Sequence, residues 1–266
     1  MELQLGDVQA TALIPLAVKA SETMRNNPRI RDDKAVEIIK HLGIDTDQYD
    51  KFMSHEGVVA RTIMLDRQLK DMINKAPDMV IVNIGAGFDN RFPRVDNGNI
   101  LWFDLDLPDA IATRRKAFPV RDRVTMIAGD ALDREWCNEV RSTLDGRKSK
   151  PVFIAEGLFM YLTLLQIKTL LENLKECFPD GGTLIAEQNN KMMVKNEKYH
   201  DTVKNTNAHF VSGTDSAQEI ADLTDGIRLI EEHSFNEEMR KYSIRGKLFA
   251  LLLPKMNDRW ATFEWG

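Results

Sequence analysis

Residues 81–91 read Ile-Val-Asn-Ile-Gly-Ala-Gly-Phe-Asp-Asn-Arg (IVNIGAGFDNR). An apolar run stops at Gly85-Ala86-Gly87, and polar residues follow where a dinucleotide-binding turn carries its third glycine. Glycine is needed where backbone turns tightly or a ligand approaches without meeting a Cβ. Taken alone, the pair also fits a plain strand-to-helix turn, so the surroundings decide its meaning.

Those surroundings are rhythmic. Apolar runs at Met79–Ile84, Ile100–Leu105, Val124–Ile127, Val152–Ala155 and Thr183–Ala186 alternate with amphipathic segments. Each is short and lacks polar alternation, as expected of strands buried on both faces of a parallel sheet. The clearest helix between them starts at Thr163 with Gln166 as its capping-box partner, carries Ile167, Leu170, Leu171, Leu174 and Phe178, and stops at Pro179-Asp180-Gly181-Gly182. Alternating β and α at this spacing predicts a doubly wound α/β sheet with right-handed crossovers. Two further runs, Ile227–Ile230 and Lys247–Leu253, are too closely spaced for a parallel crossover and are expected to pair antiparallel.

Residues 1–78 read as helical: Thr11–Glu22, a segment capped by Asp32 or Asp33 and stopped by Gly43, and a third from Gly57 to Lys75. The expected organisation is therefore an N-terminal helical extension over 1–78 and an α/β domain over 79–266. A polar, Asn- and Lys-rich stretch at 190–225, including Met192 and Met193, is expected to form an inserted helical lid.

In an open parallel sheet, ligands bind beyond the carboxyl ends of the strands. Gly85 and Gly87 lie there, after the first strand. The second ends Trp102-Phe103-Asp104-Leu105-Asp106, and its acids follow Gly85 by 19 and 21 residues, where a carboxylate can hold both ribose hydroxyls. One of the two is expected to face the ligand and the other to cap or salt-bridge. Asp130 follows the third strand and Glu156 the fourth. Each alone is an ordinary turn residue; four successive strand ends bearing glycine or acid are not. A pyrophosphate would be repelled by Asp89 in this loop. S-adenosylmethionine has a ribose, a sulfonium and an ammonium but no phosphate, and suits the acids. A nicotinamide-dependent oxidoreductase is the competing enzyme class, and a non-catalytic binding protein on the same fold the competing non-enzyme.

These residues resemble a known family. VNIGAGFDNRF, WFDLDLPDAIATRRK and IAEGLFMYLT, with EGVVARTIMLD upstream, are similar to the leucine carboxyl methyltransferase family, and within it to the bacterial polyketide-type O-methyltransferases of the tetracenomycin kind. The resemblance fades after about residue 190. It implies a class I S-adenosylmethionine-dependent methyltransferase fold, Rossmann-like with a mostly parallel seven-stranded sheet. It implies that Arg61 pairs with the cofactor's carboxylate, that Gly85 and Gly87 lie against its backbone, and that Asp106 holds the ribose. Asp130 and Ala131 would border the adenine, and Glu156 the methionine portion.

Methyl transfer needs alignment and exclusion of water, and an already ionised carboxylate acceptor needs no base. No catalytic base is assigned. Tyr161 could face the reaction but suits packing equally. Arg91 and Arg94 are expected to pair with Asp96 or Asp104. His41, His55, His200, His209 and His233 lack metal-ligand spacing, so no metal is expected. A net charge of −5 disfavours nucleic acid and anionic membranes, and leaves Arg25, Arg29 and Arg31 as a solvated loop. Two helical cysteines, Cys137 and Cys177, without a leader or a span of about 20 apolar residues, point to the cytoplasm. The expected partner is a small molecule.

Overall fold

The apolar runs become strands β1 (Val80–Ile84), β2 (Leu101–Asp106), β3 (Val124–Ala128), β4 (Val152–Ala155) and β5 (Gly182–Gln188), joined by β6 (Arg228–Ser234) and β7 (Arg259–Trp265) in a computed structural model that describes residues 11–196, 209–254 and 257–266. They form one sheet in the order β3-β2-β1-β4-β5-β7-β6, with β1 to β5 parallel and β7 antiparallel to both neighbours. Strand order reverses between β1 and β4, the position at which such sheets bind ligands.

Period-two geometry explains the missing polar alternation. Val80, Val82 and Ile84 enter a core with Phe153, Leu170 and Leu174, while Ile81 enters the opposite one with Trp102, Ile154 and Leu69. Both faces are covered, so both sets of side chains must be apolar.

Helices α1 (Leu13–Thr23), α2 (Asp33–Leu42) and α3 (Phe52–Lys75) precede the sheet. Asp32 caps α2 by accepting from Ala35 N at 3.1 Å, and Gly43 ends it at φ +63°. The third helix begins at Phe52, five residues before the predicted Gly57, because nothing local breaks its first turn. α4 (Pro108–Ala117), α5 (Glu135–Arg141) and α6 (Leu164–Cys177) connect the strands; the Thr163–Gln166 capping box at α6 forms as its sequence predicts.

The chain's end differs from the sequence reading. Lys247–Leu253 is not a strand: it belongs to α7 (Ile244–Leu252), whose cap Ser243 accepts from Gly246 N at 2.9 Å. The antiparallel partner of β6 is β7, at 259–265. Short apolar runs do not distinguish strand from helix by periodicity, and here a Ser cap was the overlooked signal. Within 190–225, the described helical pieces are short, Lys191–Lys195 and Gln218–Ala221; His200 lies outside the described residues. Met193 and Phe210 from this stretch pack on Ile14 and Met160. Among the described residues no helix is long and apolar enough to cross a membrane.

Candidate active site

β1 ends in a turn that only glycine adopts without strain: Gly85 has φ +70° and Gly87 φ +47°. The Gly85 and Ala86 amides donate to Leu105 O at 2.8 and 3.1 Å, which pins the turn to β2. Asp106, at the β2 tip, accepts from Gly87 N at 2.7 Å and from Leu107 N at 2.8 Å. Burial raises its pKa against the pull of these amides. Asp104 turns inward instead, accepting from Trp102 Nε1 at 2.8 Å and from Arg114 at 3.0 and 2.7 Å. Arg114 also donates to the carbonyls of Gly87 and Asp89, so the buried acid anchors the loop while its neighbour faces the cleft.

Across the switch point, Arg61 projects from α3 between two strand-tip acids. Its Nε lies 2.9 Å from Glu156 after β4, and its Nη1 donates to both oxygens of Glu187 on β5 at 3.1 Å. Nη2 lies outside these contacts. Arg91 sits behind Glu156, fully buried, and reaches Asp66 at 2.7 Å, Asp89 at 2.9 Å and Glu156 at 2.5 Å. Burial alone would push Glu156 up, but Arg91 and Arg61 hold its carboxyl at about 2. Glu187 moves the other way: burial dominates, Arg61 opposes it, and Glu156 adds repulsion. Lys19 of α1 closes the loop side, 2.6 Å from Asp89.

Arg61, Gly85, Gly87, Asp106 and Glu156 thus line a single cleft. Asp130 and Ala131 do not: Asp130 is exposed past β3, accepting from Leu132 N at 2.9 Å, and Ala131 packs against the core edge. Arg91 and Arg94 are not paired with Asp96 or Asp104 as predicted. Asp96 takes Arg123 and Asp104 takes Arg114, leaving Arg91 and Arg94 to share Asp66. The partner helix α3 is remote in sequence, so spacing gave no hint of it. Tyr161 lines the cleft with its ring 6.1 Å from that of Phe210.

Three cleft residues escaped the sequence reading. Glu187 carries the same signal as Glu156, an acid at the end of an apolar strand. Lys19, 2% exposed, stands in an otherwise apolar helical stretch, where a buried cation implies a partner. Asp258 immediately precedes β7 and became invisible once that strand was missed.

The architecture is shared with solved structures. A DUF574 family protein from Streptomyces avermitilis superposes with a TM-score of 0.58 at 12% identity, covering 96% of this chain and 97% of that one. The N-methyltransferase NodS from Bradyrhizobium japonicum, in complex with S-adenosyl-L-homocysteine, gives 0.51 at 14% identity, covering 88% and 99%. Among curated relatives, the tetracenomycin polyketide synthesis O-methyltransferase TcmP of Streptomyces glaucescens is 24% identical over 87% of this chain and 84% of its own length. The fold is that of the class I S-adenosylmethionine-dependent methyltransferases. Residues 12–175 match the leucine carboxyl methyltransferase profile, and the chain belongs to that family.

Proposed function

We propose that the cleft transfers the methyl group of S-adenosylmethionine to an oxygen, carboxylate or hydroxyl, of a small molecule, with Arg61, Gly85, Gly87, Asp106 and Glu156 holding the donor. The observation that carries the reading is the cleft's charge. Its lining includes Asp89, Asp106, Glu156, Glu187 and Asp258 against Lys19 and Arg61. Such a wall suits a sulfonium and an ammonium and repels a pyrophosphate, which speaks against nicotinamide dinucleotides.

The residues fit the donor's parts. Asp106 presents a carboxylate at the loop, where a ribose diol can donate to it. The Nη2 of Arg61 remains for a carboxylate, since the other guanidinium nitrogens face Glu156 and Glu187. Glu156, held ionised by Arg91, offers a fixed acceptor for an ammonium. Gly85 and Gly87 keep Cβ atoms off the approach. The support does not extend to Asp130 and Ala131, which stand outside the cleft.

When bound, the donor supplies an electrophilic methyl carbon on a sulfonium. What this chain contributes is alignment and dryness: positioning is worth roughly 7–11 kcal/mol of a barrier of this kind. Thermal melts test the reading. S-adenosylhomocysteine at about 100 times its Kd should stabilise the protein by ~2.7 kcal/mol, and NADH should not. Stabilisation by NADH, with none by S-adenosylhomocysteine, would overturn it.

A further inference from the structure

The cleft continues past the residues assigned to the donor. Its edge runs over β2, β1, β4, β5 and β7, and strands lie about 4.8 Å apart, so Asp106 and Asp258 are separated by four strand spacings, roughly 19 Å. In S-adenosylmethionine the sulfur is bonded directly to the ribose 5′ carbon. With Asp106 holding the ribose and Arg61 and Glu156 the methionine portion, the β5–β7 end would be left to the acceptor.

That end has a distinctive chemistry. Phe235, Met239 and Phe249 line it with apolar surface. Its charged groups are acids: Glu187, 0% exposed and tied to Gly157 N at 2.7 Å and to Arg61, and Asp258; the neutral Asn257 beside them spends its Nδ2 on Asn236 Oδ1 and the Met239 sulfur. Asp258 Oδ1 is buried and meets no hydrogen-bond donor among the described residues. Arg259, its neighbour in sequence, is directed elsewhere, to Glu232 at 2.6 Å and Thr214 O at 2.5 Å. The other described cation that acts on Asp258 is Arg61, already shared by Glu156 and Glu187.

We propose that the β5–β7 end admits an apolar molecule bearing a hydroxyl group, and that Asp258 accepts the hydroxyl proton as the oxygen takes the methyl group. This rests on the methyltransferase reading and narrows its acceptor. A carboxylate would meet Glu187 and Asp258 with no uncommitted cation among the described residues, whereas a hydroxyl supplies the hydrogen-bond donor that Oδ1 lacks. In the step, an oxygen electron pair forms the new O–CH3 bond and the methyl–sulfur pair departs with sulfur, cancelling its positive charge. The O–H proton passes to Oδ1, and its bonding pair stays on oxygen. Burial first, and Glu187 second, raise the basicity of Asp258 above that of an ordinary carboxylate, with Arg61 and Arg259 opposing.

Matched probes test this without turnover. Benzyl alcohol against benzoate, and 2-naphthol against 2-naphthoate, are titrated into the protein saturated with S-adenosylhomocysteine and followed by calorimetry. The alcohol of at least one pair should bind tenfold or more tightly than its carboxylate. D258N should erase most of that preference by admitting the carboxylate, while changing S-adenosylhomocysteine affinity less than threefold. Single-turnover methylation of the preferred alcohol should slow about a hundredfold or more in D258N. Equal or better binding of the carboxylates overturns the proposal, as does binding of neither series by a protein that still binds S-adenosylhomocysteine. Failure to bind S-adenosylhomocysteine overturns instead the reading beneath it. The wild-type comparison stands whether or not D258N folds.

Discussion

Two buried ion networks hold this molecule together, and they differ in one respect that matters. Under the cleft, Asp66, Asp89 and Glu156 meet Arg91, Arg94, Arg61 and Lys19. Between the N-terminal helices, Glu22 and Glu56 meet Arg29 at 3.1 and 2.9 Å, and His55 joins Glu22 at 2.9 Å and Asp50 on its other nitrogen. The arginines of the first network keep their charge at any physiological pH, because arginine does not titrate there. The second has a histidine at its centre, the one side chain whose ordinary pKa lies within that range. Fixed charge surrounds the chemistry; titratable charge braces the helix that carries Arg61. The comparison predicts that damage to the first network is large and insensitive to pH, and damage to the second smaller and dependent on it.

The largest effect is expected at Arg91. Arg91→Met leaves Asp66, Asp89 and Glu156 short of a buried cation, and breaking such a pair typically costs about 3–5 kcal/mol. Urea denaturation should show that loss at pH 6 and at pH 8 alike. A loss below about 1 kcal/mol would mean the network is decorative and the contrast empty. Arg91→Lys should restore little, because a point charge cannot reach three carboxylates from one rigid fork.

Next comes Asp106. Asp106→Asn keeps one oxygen for the Gly87 amide but removes the charge expected to hold the ribose. A hydrogen bond to a charged group is worth about 1.5–3 kcal/mol, so S-adenosylhomocysteine should bind roughly ten- to 150-fold more weakly, with stability little changed. Unaltered affinity by calorimetry would detach Asp106 from the donor.

The same contrast between near and far governs what the sequence disclosed. The β1 turn and the β2 acid are written in adjacent segments, a strand with its tip residues, and local pattern suffices to place Gly85, Gly87 and Asp106 on one edge. Glu156 was placed by the same strand-tip pattern and took its role from the family motifs, on which Arg61 depended altogether. The Glu187–Asp258 end was hidden for two reasons. Glu187 bears a legible strand-tip signal that stopped being read after the fourth strand. Asp258 depends on β7, whose Arg259-Trp260-Ala261-Thr262-Phe263 mixes polar and apolar residues, while the more uniformly apolar α7 imitated a strand. Arg91 was recognised as a cation near the loop, but its partners come from α3 and β4, and no spacing rule relates residue 91 to 66 or 156. Ion pairs set by tertiary packing are the part of a site that sequence periodicity cannot reach.

The smallest effect, and the one that sharpens the contrast most, is expected at His55. Burial lowers its pKa, but hydrogen bonds to Asp50 and Glu22 prevail and raise it overall, while Glu22 and Asp50 are each lowered to about 2. Arg25, 3.4 Å from the same ring nitrogen as Asp50, opposes the rise. For a histidine whose folded pKa exceeds its unfolded value, the stabilisation is complete below the unfolded pKa of about 6.5 and is lost as pH climbs through the folded one. The acids behave oppositely: their contribution is present above their unfolded pKa values of about 4 and is lost as pH falls toward 2. The network is therefore strongest between about pH 5 and 6.5 and weakens on the alkaline side. His55→Gln should lower the melting temperature near pH 5.5 and match wild type more closely at pH 9, so the difference between the two proteins shrinks as pH rises. Arg91→Met, measured in parallel, should show a difference that stays constant over the same interval. If both differences run flat, His55 is uncharged in the folded protein and the two networks are alike; if both slope, the group that titrates lies among Arg91's own partners, and the fixed-charge account of Glu156 fails with it.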